Sequence, residues 1–166
     1  MIRLIAMAVL IMASLPARAH DPMTPERMLE ILQAVDADAA QQGTLIQVTI
    51  EDIPVLIVFD PRADRMRAIT PIRSADALSP EDLTRMMQSN FDTALDARYA
   101  VANGKLWAAF IHPLSPLNKN ELLSGLGQVV NLALTYGSTY TSGALSFGGG
   151  DSRGLIDELL KKGEKI

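Results

Sequence analysis

Asn103-Gly104 constrains this chain more than any other pair of residues in it. A type I′ turn needs positive φ at both central positions, and asparagine followed by glycine meets that need with least strain. The flanking segments 96–102 and 105–112 are therefore predicted to pair as a hairpin. A two-residue turn sets Val101 opposite Leu106, Tyr99 opposite Ala108 and Ala97 opposite Phe110 on one face. It leaves Ala100, Trp107, Ala109 and Ile111 on the other. Both faces are then apolar, so either helices cover both sides of the sheet or one side meets a partner.

Around the hairpin, helix and strand signals alternate. Thr24-Pro25-Glu26 reads as a cap, a proline at the first helical position and an acid in the first turn. Met28, Leu32, Val35 and Ala39 continue that helix on one face until Gly43. Ile46, Val48 and Ile50 then alternate as a strand, the β-branched run 55–59 reads as a second strand buried on both faces, and 66–72 as a third. Short turns make these an antiparallel meander. Ser79-Pro80-Glu81-Asp82 is a capping box followed by Leu83, Met86, Met87, Asn90 and Phe91 at helical spacing. Asn118 to Glu121 repeats the arrangement ahead of a wide stripe of Leu122, Leu126, Val129, Val130, Ala133 and Leu134, with an end expected at Gly137 or just behind it. Phe147-Gly148-Gly149-Gly150 reads as a connector, and Leu155, Ile156, Leu159 and Leu160 as a short terminal helix.

The N-terminus has the three parts of a secretory signal peptide: a basic start at Arg3, an uncharged apolar run from Leu4 to Leu15, and an A-x-A site at Ala17-Arg18-Ala19, with cleavage expected before His20. The run is shorter than the roughly 20 residues a membrane-spanning helix requires. We expect an exported, periplasmic protein without stable membrane insertion, divided into a signal peptide (1–19), one domain (20–146), and a glycine-rich linker with a short amphipathic helix (147–166). Removing 1–19 takes away two arginines, which turns a formal charge of −4 into −6. That acidity argues against a nucleic-acid partner, since duplex binding rests on Lys and Arg neutralising phosphates. The absence of cysteine excludes disulfides and thiolate catalysis.

The element order has a counterpart in a known family. The segment from Asn90-Phe91-Asp92-Thr93-Ala94-Leu95-Asp96-Ala97-Arg98-Tyr99 through Gly104-Lys105-Leu106-Trp107-Ala108-Ala109-Phe110-Ile111-His112-Pro113-Leu114 resembles the core of YbjN-like proteins, which are related in fold to type III secretion chaperones. Tyr136-Gly137-Ser138-Thr139-Tyr140 extends the likeness, which covers roughly 24–143. The resemblance implies an α+β, dimer-prone module that binds another polypeptide without doing chemistry. It implies no cofactor and no catalytic residue. Secretion chaperones work in the cytosol, whereas this chain carries an export signal.

The other candidates for chemistry have plainer readings. His20, freed as an N-terminus, and His112 are the two histidines and together suggest a copper site, but His112 at a strand end fits a hydrogen-bonded edge residue better. Ser115 near His112 is the only sequence-local serine–histidine pair, and no G-x-S-x-G surrounds any serine. Gly148 to Gly150 lacks the Lys-Ser/Thr of a phosphate loop. Met28, Met66, Met86 and Met87 are placed in the core by their spacing, with an adaptable binding surface as the alternative. For Trp107, burial beneath a helix and an interface among small neighbours both fit. The expectation is an α+β protein with a five-stranded antiparallel sheet, helices mainly on one face, and a short C-terminal helix. Its protein- or peptide-binding surface is centred on Arg98, Trp107, Ala109 and Ile111, with self-association at that face. The alternative is a small-ligand or metal-binding protein built on His112 and the 136–140 segment.

Overall fold

A computed structural model of the chain describes residues 21–92, 95–135 and 152–164. The expected signal peptide, the 136–140 segment, the 147–150 connector and His20 lie outside the described residues. In chain order the elements are α1 (Pro25–Val35), β1 (Ala40–Gln42), β2 (Leu45–Ile50), β3 (Ile53–Asp60), β4 (Arg65–Ser74), α2 (Pro80–Asp92), β5 (Arg98–Ala102), β6 (Lys105–Pro113), α3 (Lys119–Thr135) and α4 (Arg153–Gly163). The strands form one antiparallel sheet in the order β1-β2-β3-β4-β6-β5. The α+β class and the meander-plus-hairpin arrangement are those expected from the sequence.

The sheet has six strands where five were expected, and α1 stops earlier than the apolar spacing suggested. Both differences have one cause. Asp36 ends α1 by accepting from its own loop, at Asp38 N–H (3.0 Å), and from β2, at Thr49 N–H (2.8 Å). Held there, the chain turns over, and residues 40–42 pair with Leu45–Gln47 as a short edge strand. Ala39 is buried as expected, but outside the helix.

The local signals for helix starts hold in atomic detail. The Thr24 hydroxyl accepts from Arg27 N–H (3.2 Å). Ser79 and Asp82 bond reciprocally at 3.0 and 3.1 Å, and Asn118 and Glu121 do the same, both at 2.9 Å. Asn103 and Gly104 have φ of 52° and 69°, and the hairpin pairs Val101 with Leu106 and Tyr99 with Ala108. A second turn of this kind, at Glu51 (φ 49°) and Asp52 (φ 61°), joins β2 to β3.

The core lies between one face of the sheet and α3. Ile46 and Val48 of β2, Val55, Ile57 and Phe59 of β3, Met66 and Ala68 of β4, and Leu106, Ala108 and Phe110 of β6 all point into it. On the far side of α3 sits α4, so α3 is the middle layer and is buried nearly all round. Glycines permit the close packing. A Cβ on Gly125 would lie 2.6 Å from the Phe110 ring, and one on Gly127 would lie 2.9 Å from Ile156 of α4. The terminal helix is thus integral to the packing, with Ile156 and Leu159 buried. Leu134, expected in the α3 stripe, is exposed on the last turn of the helix. Of the four methionines assigned to the core, Met28, Met66 and Met86 are buried, but Met87 is 67% exposed.

Candidate functional site

The opposite face of the sheet is built from the alternate residues of the same strands. Register aligns Val58, Arg67 and Ile111 in one row across β3, β4 and β6. The next row aligns Leu56, Ile69, Ala109 and Arg98, and Trp107 stands beside Pro71 and Ala100. Among the described residues, no helix covers this face. Ile111 is 57% exposed and Val58 43%, while Leu56, Ile69, Trp107 and Ala109 are half-buried by one another. The expectation that 55–59 is buried on both faces is therefore corrected: β3 alternates, with Val55, Ile57 and Phe59 inward and Leu56 and Val58 on the open side. A continuous apolar run does not distinguish a doubly covered strand from one whose second face is apolar and open.

Val58, Ile69, Arg67 and Ile111 line a shallow groove of about 500 Å³ on this face. The Trp107 indole N–H donates to the Ala102 carbonyl (2.9 Å), so the ring's polar atom is satisfied within the hairpin and its carbon surface is what the face presents. Of the four site residues expected from sequence, Trp107, Ala109 and Ile111 lie along β6 on the open face. Arg98 shares that face by register, but its guanidinium turns back on the carbonyls of Leu95 (2.8 Å) and Ala97 (2.7 Å). Leu56, Val58, Arg67 and Ile69 were missed. Leu56, Val58 and Ile69 carried the same signal that marked the hairpin, apolar residues on both sides of a strand, whereas Arg67 carried none.

The edge strand β5 is held by side chains from two helices. The Asn90 carboxamide accepts from Tyr99 N–H (2.7 Å) and donates to the Tyr99 carbonyl (3.1 Å), completing the outer edge of the strand as a neighbouring strand would. The Gln128 carbonyl oxygen, buried in α3, accepts from Asp96 and Ala97 N–H at 2.7 and 2.9 Å, and the Tyr99 hydroxyl donates to Leu132 O (2.8 Å). These polar anchors fix the hairpin against α3 without touching the open face.

The alternative sites resolve differently. His112 stacks on Phe110 (centroids 5.8 Å apart), and its Nδ1 lies 2.7 Å from the Pro113 carbonyl. It borders a second depression of about 690 Å³ with Asp96, Arg98, Glu121 and Ser124. Ser115 is engaged away from it: its N–H and hydroxyl donate to the Asp64 carboxylate at 2.6 and 2.9 Å. The backbone bond from Ser115, then its hydroxyl, hold the Asp64 carboxyl below the ordinary carboxylate range. This clamp ties the β3–β4 turn to the end of β6. Among the described residues no group of three or more His, Asp or Glu could hold a metal ion, and no helix is long and apolar enough to cross a membrane.

No family model matches the chain, and no curated protein matches it in sequence. Among solved structures, it is similar to the crystal structure of the Yersinia pestis type III secretion chaperone SycH in complex with a stable fragment of YscM2. The TM-score is 0.52 at 16% identity, covering 66% of this chain and 96% of that one. The chain has the fold of a type III secretion chaperone.

Proposed function

We propose that this protein is an exported, non-enzymatic binding module of the YbjN-like kind, working in the periplasm and taking up a protein or peptide on the open face of its sheet around Trp107, Ala109 and Ile111. The observation that carries this reading is the extent of that face: apolar side chains of β3, β4 and β6 stand in register and uncovered among the described residues. Exposed apolar patches rimmed by polar groups mark interaction sites, and half-buried tryptophans are frequent anchors in them. The chaperone-like fold adds support, since SycH was crystallised with a fragment of YscM2. Trp107 is the only tryptophan, so its emission reports directly on this face. A polypeptide that co-purifies with the wild-type protein, shifts that emission when added back, and is not retained by a folded Trp107→Ala variant is the expected result. Equal retention by the variant would remove the face from the reading.

Homodimerisation is a second reading, carried by a different surface from the sheet face first expected for it. Leu83, Met87 and Phe91 form an exposed stripe on α2 at four-residue spacing, with Phe91 76% exposed. The stripe is symmetric about Met87, so two copies pair antiparallel with Met87 at the twofold axis and Leu83 against the other copy's Phe91. At 100° per residue, Glu81, Asp82 and Arg85 fall away from the stripe, and self-pairing brings no like charges together. Met87→Lys should convert a dimer to a monomer in sedimentation equilibrium; a monomeric wild type ends this reading.

A further inference from the structure

We infer that the occupant of the open sheet face is an acidic polypeptide segment, one that sets a carboxylate against Arg67. This rests on the proposal that the face binds a polypeptide, and it concerns which class of polypeptide binds. Arg67 stands in the middle of the patch, between Val58 on β3 and Ile111 on β6. It is exposed, and among the described residues its guanidinium has no hydrogen-bond or ion-pair partner. Three further cations share the face: Arg65, whose guanidinium donates to the Asp64 carbonyl (2.9 Å), Arg98, whose guanidinium turns back on the carbonyls of Leu95 and Ala97, and Lys105 at the far end of β6. Asp60 is the acid that borders the groove, and its carboxylate already accepts from Arg62 and Ala63 N–H.

An occupant that covers Val58 and Ile111 also covers the guanidinium between them and strips its water. Burying an unpaired cation costs more than such apolar contact returns, so the occupant must bring its own acceptor, and a carboxylate fits the fork of a guanidinium in two places. A second copy of this chain related by a twofold axis at Arg67 fails that requirement, because it would set Arg67 against Arg67. The local sign is notable in a chain with a formal charge of −4. An acidic peptide would be repelled by most of the surface and drawn to this patch, which gives it one register.

Two synthetic peptides of about eight residues, long enough to cross the roughly 25 Å width of the sheet, would share the same valines and carry glutamate or lysine at the alternate positions. Titrated into the purified full chain at low salt and followed by Trp107 emission, the glutamate peptide should bind roughly tenfold tighter than its lysine counterpart. The difference should narrow as salt rises. Arg67→Glu, checked for an unchanged far-UV spectrum, should reverse the order. Equal affinities, or a tighter lysine peptide, would overturn the acidic class while leaving polypeptide binding in place. Binding of neither peptide would count against both. Emission shifts with anionic phosphatidylglycerol vesicles but not with the glutamate peptide would assign the patch to a lipid surface and overturn the inference.

Discussion

The two faces of the sheet are made by alternate residues of the same strands, and both are largely apolar, yet among the described residues only one is closed. On the closed face the Phe110 ring packs against the backbone of α3 where Gly125 leaves room, and α4 seals the helix from behind. On the open face Ile111, next along the strand, meets no helix among the described residues and has a cation, Arg67, as its cross-strand neighbour. The lesson is that apolarity alone does not assign a face to the core. The closed face has small residues where a helix must approach and no charge at its centre, while the open face has a guanidinium at its centre that an intramolecular helix would have to neutralise.

The largest test of this contrast is Phe110→Ala. It removes a buried ring at the sheet–α3 contact and should cost about 3–5 kcal/mol in denaturant unfolding. Next comes Gly125→Ala. In an exposed helix this change gains about 1 kcal/mol, but here the new methyl meets the rigid Phe110 ring, and overpacking of about 1–3 kcal/mol should dominate and lower Tm. Adding Phe110→Leu to that variant should recover part of the loss if the clash is the cause. Trp107→Ala, on the other face, should cost about 1 kcal/mol or less, and a loss equal to that of Phe110→Ala would show that the open face is structurally closed after all. The smallest effect concerns pH. The Asp64 carboxyl has a folded pKa below its unfolded one, so the Ser115 clamp stabilises the protein above about pH 4 and its contribution fades as pH falls through the folded value. The difference in thermal midpoint between wild type and Asp64→Asn should therefore be present at neutral pH and close in acid; a difference that persists unchanged would remove the charge from the clamp.

Local chemistry was legible wherever a short stretch suffices. The reciprocal caps at Ser79/Asp82 and Asn118/Glu121 and the Asn103-Gly104 turn each need only a few adjacent residues, and each formed as read. Less legible were the contacts that join distant residues. The Asp36 carboxylate reaches Thr49, which cuts α1 short and frees residues 40–42 to pair. Asn90 reads as one more position of an amphipathic helix, yet its amide completes the edge of β5. The candidate site was half visible: Trp107, Ala109 and Ile111 follow from hairpin register, whereas Leu56, Val58, Arg67 and Ile69 join them only through the pairing of β3, β4 and β6.

By itself, the sequence determined the strands and helices other than β1, where the helices start, and that both faces of the hairpin are apolar, because periodicity, capping and turn chemistry act over a few residues. Tertiary structure alone decided which face is covered. That choice depends on where α3 lies, and α3 is placed by Gly125 against Phe110, by Gln128 against the residues leading into β5, and by α4 behind it. These contacts join parts of the chain brought together only when the layers close, so no local pattern encodes them.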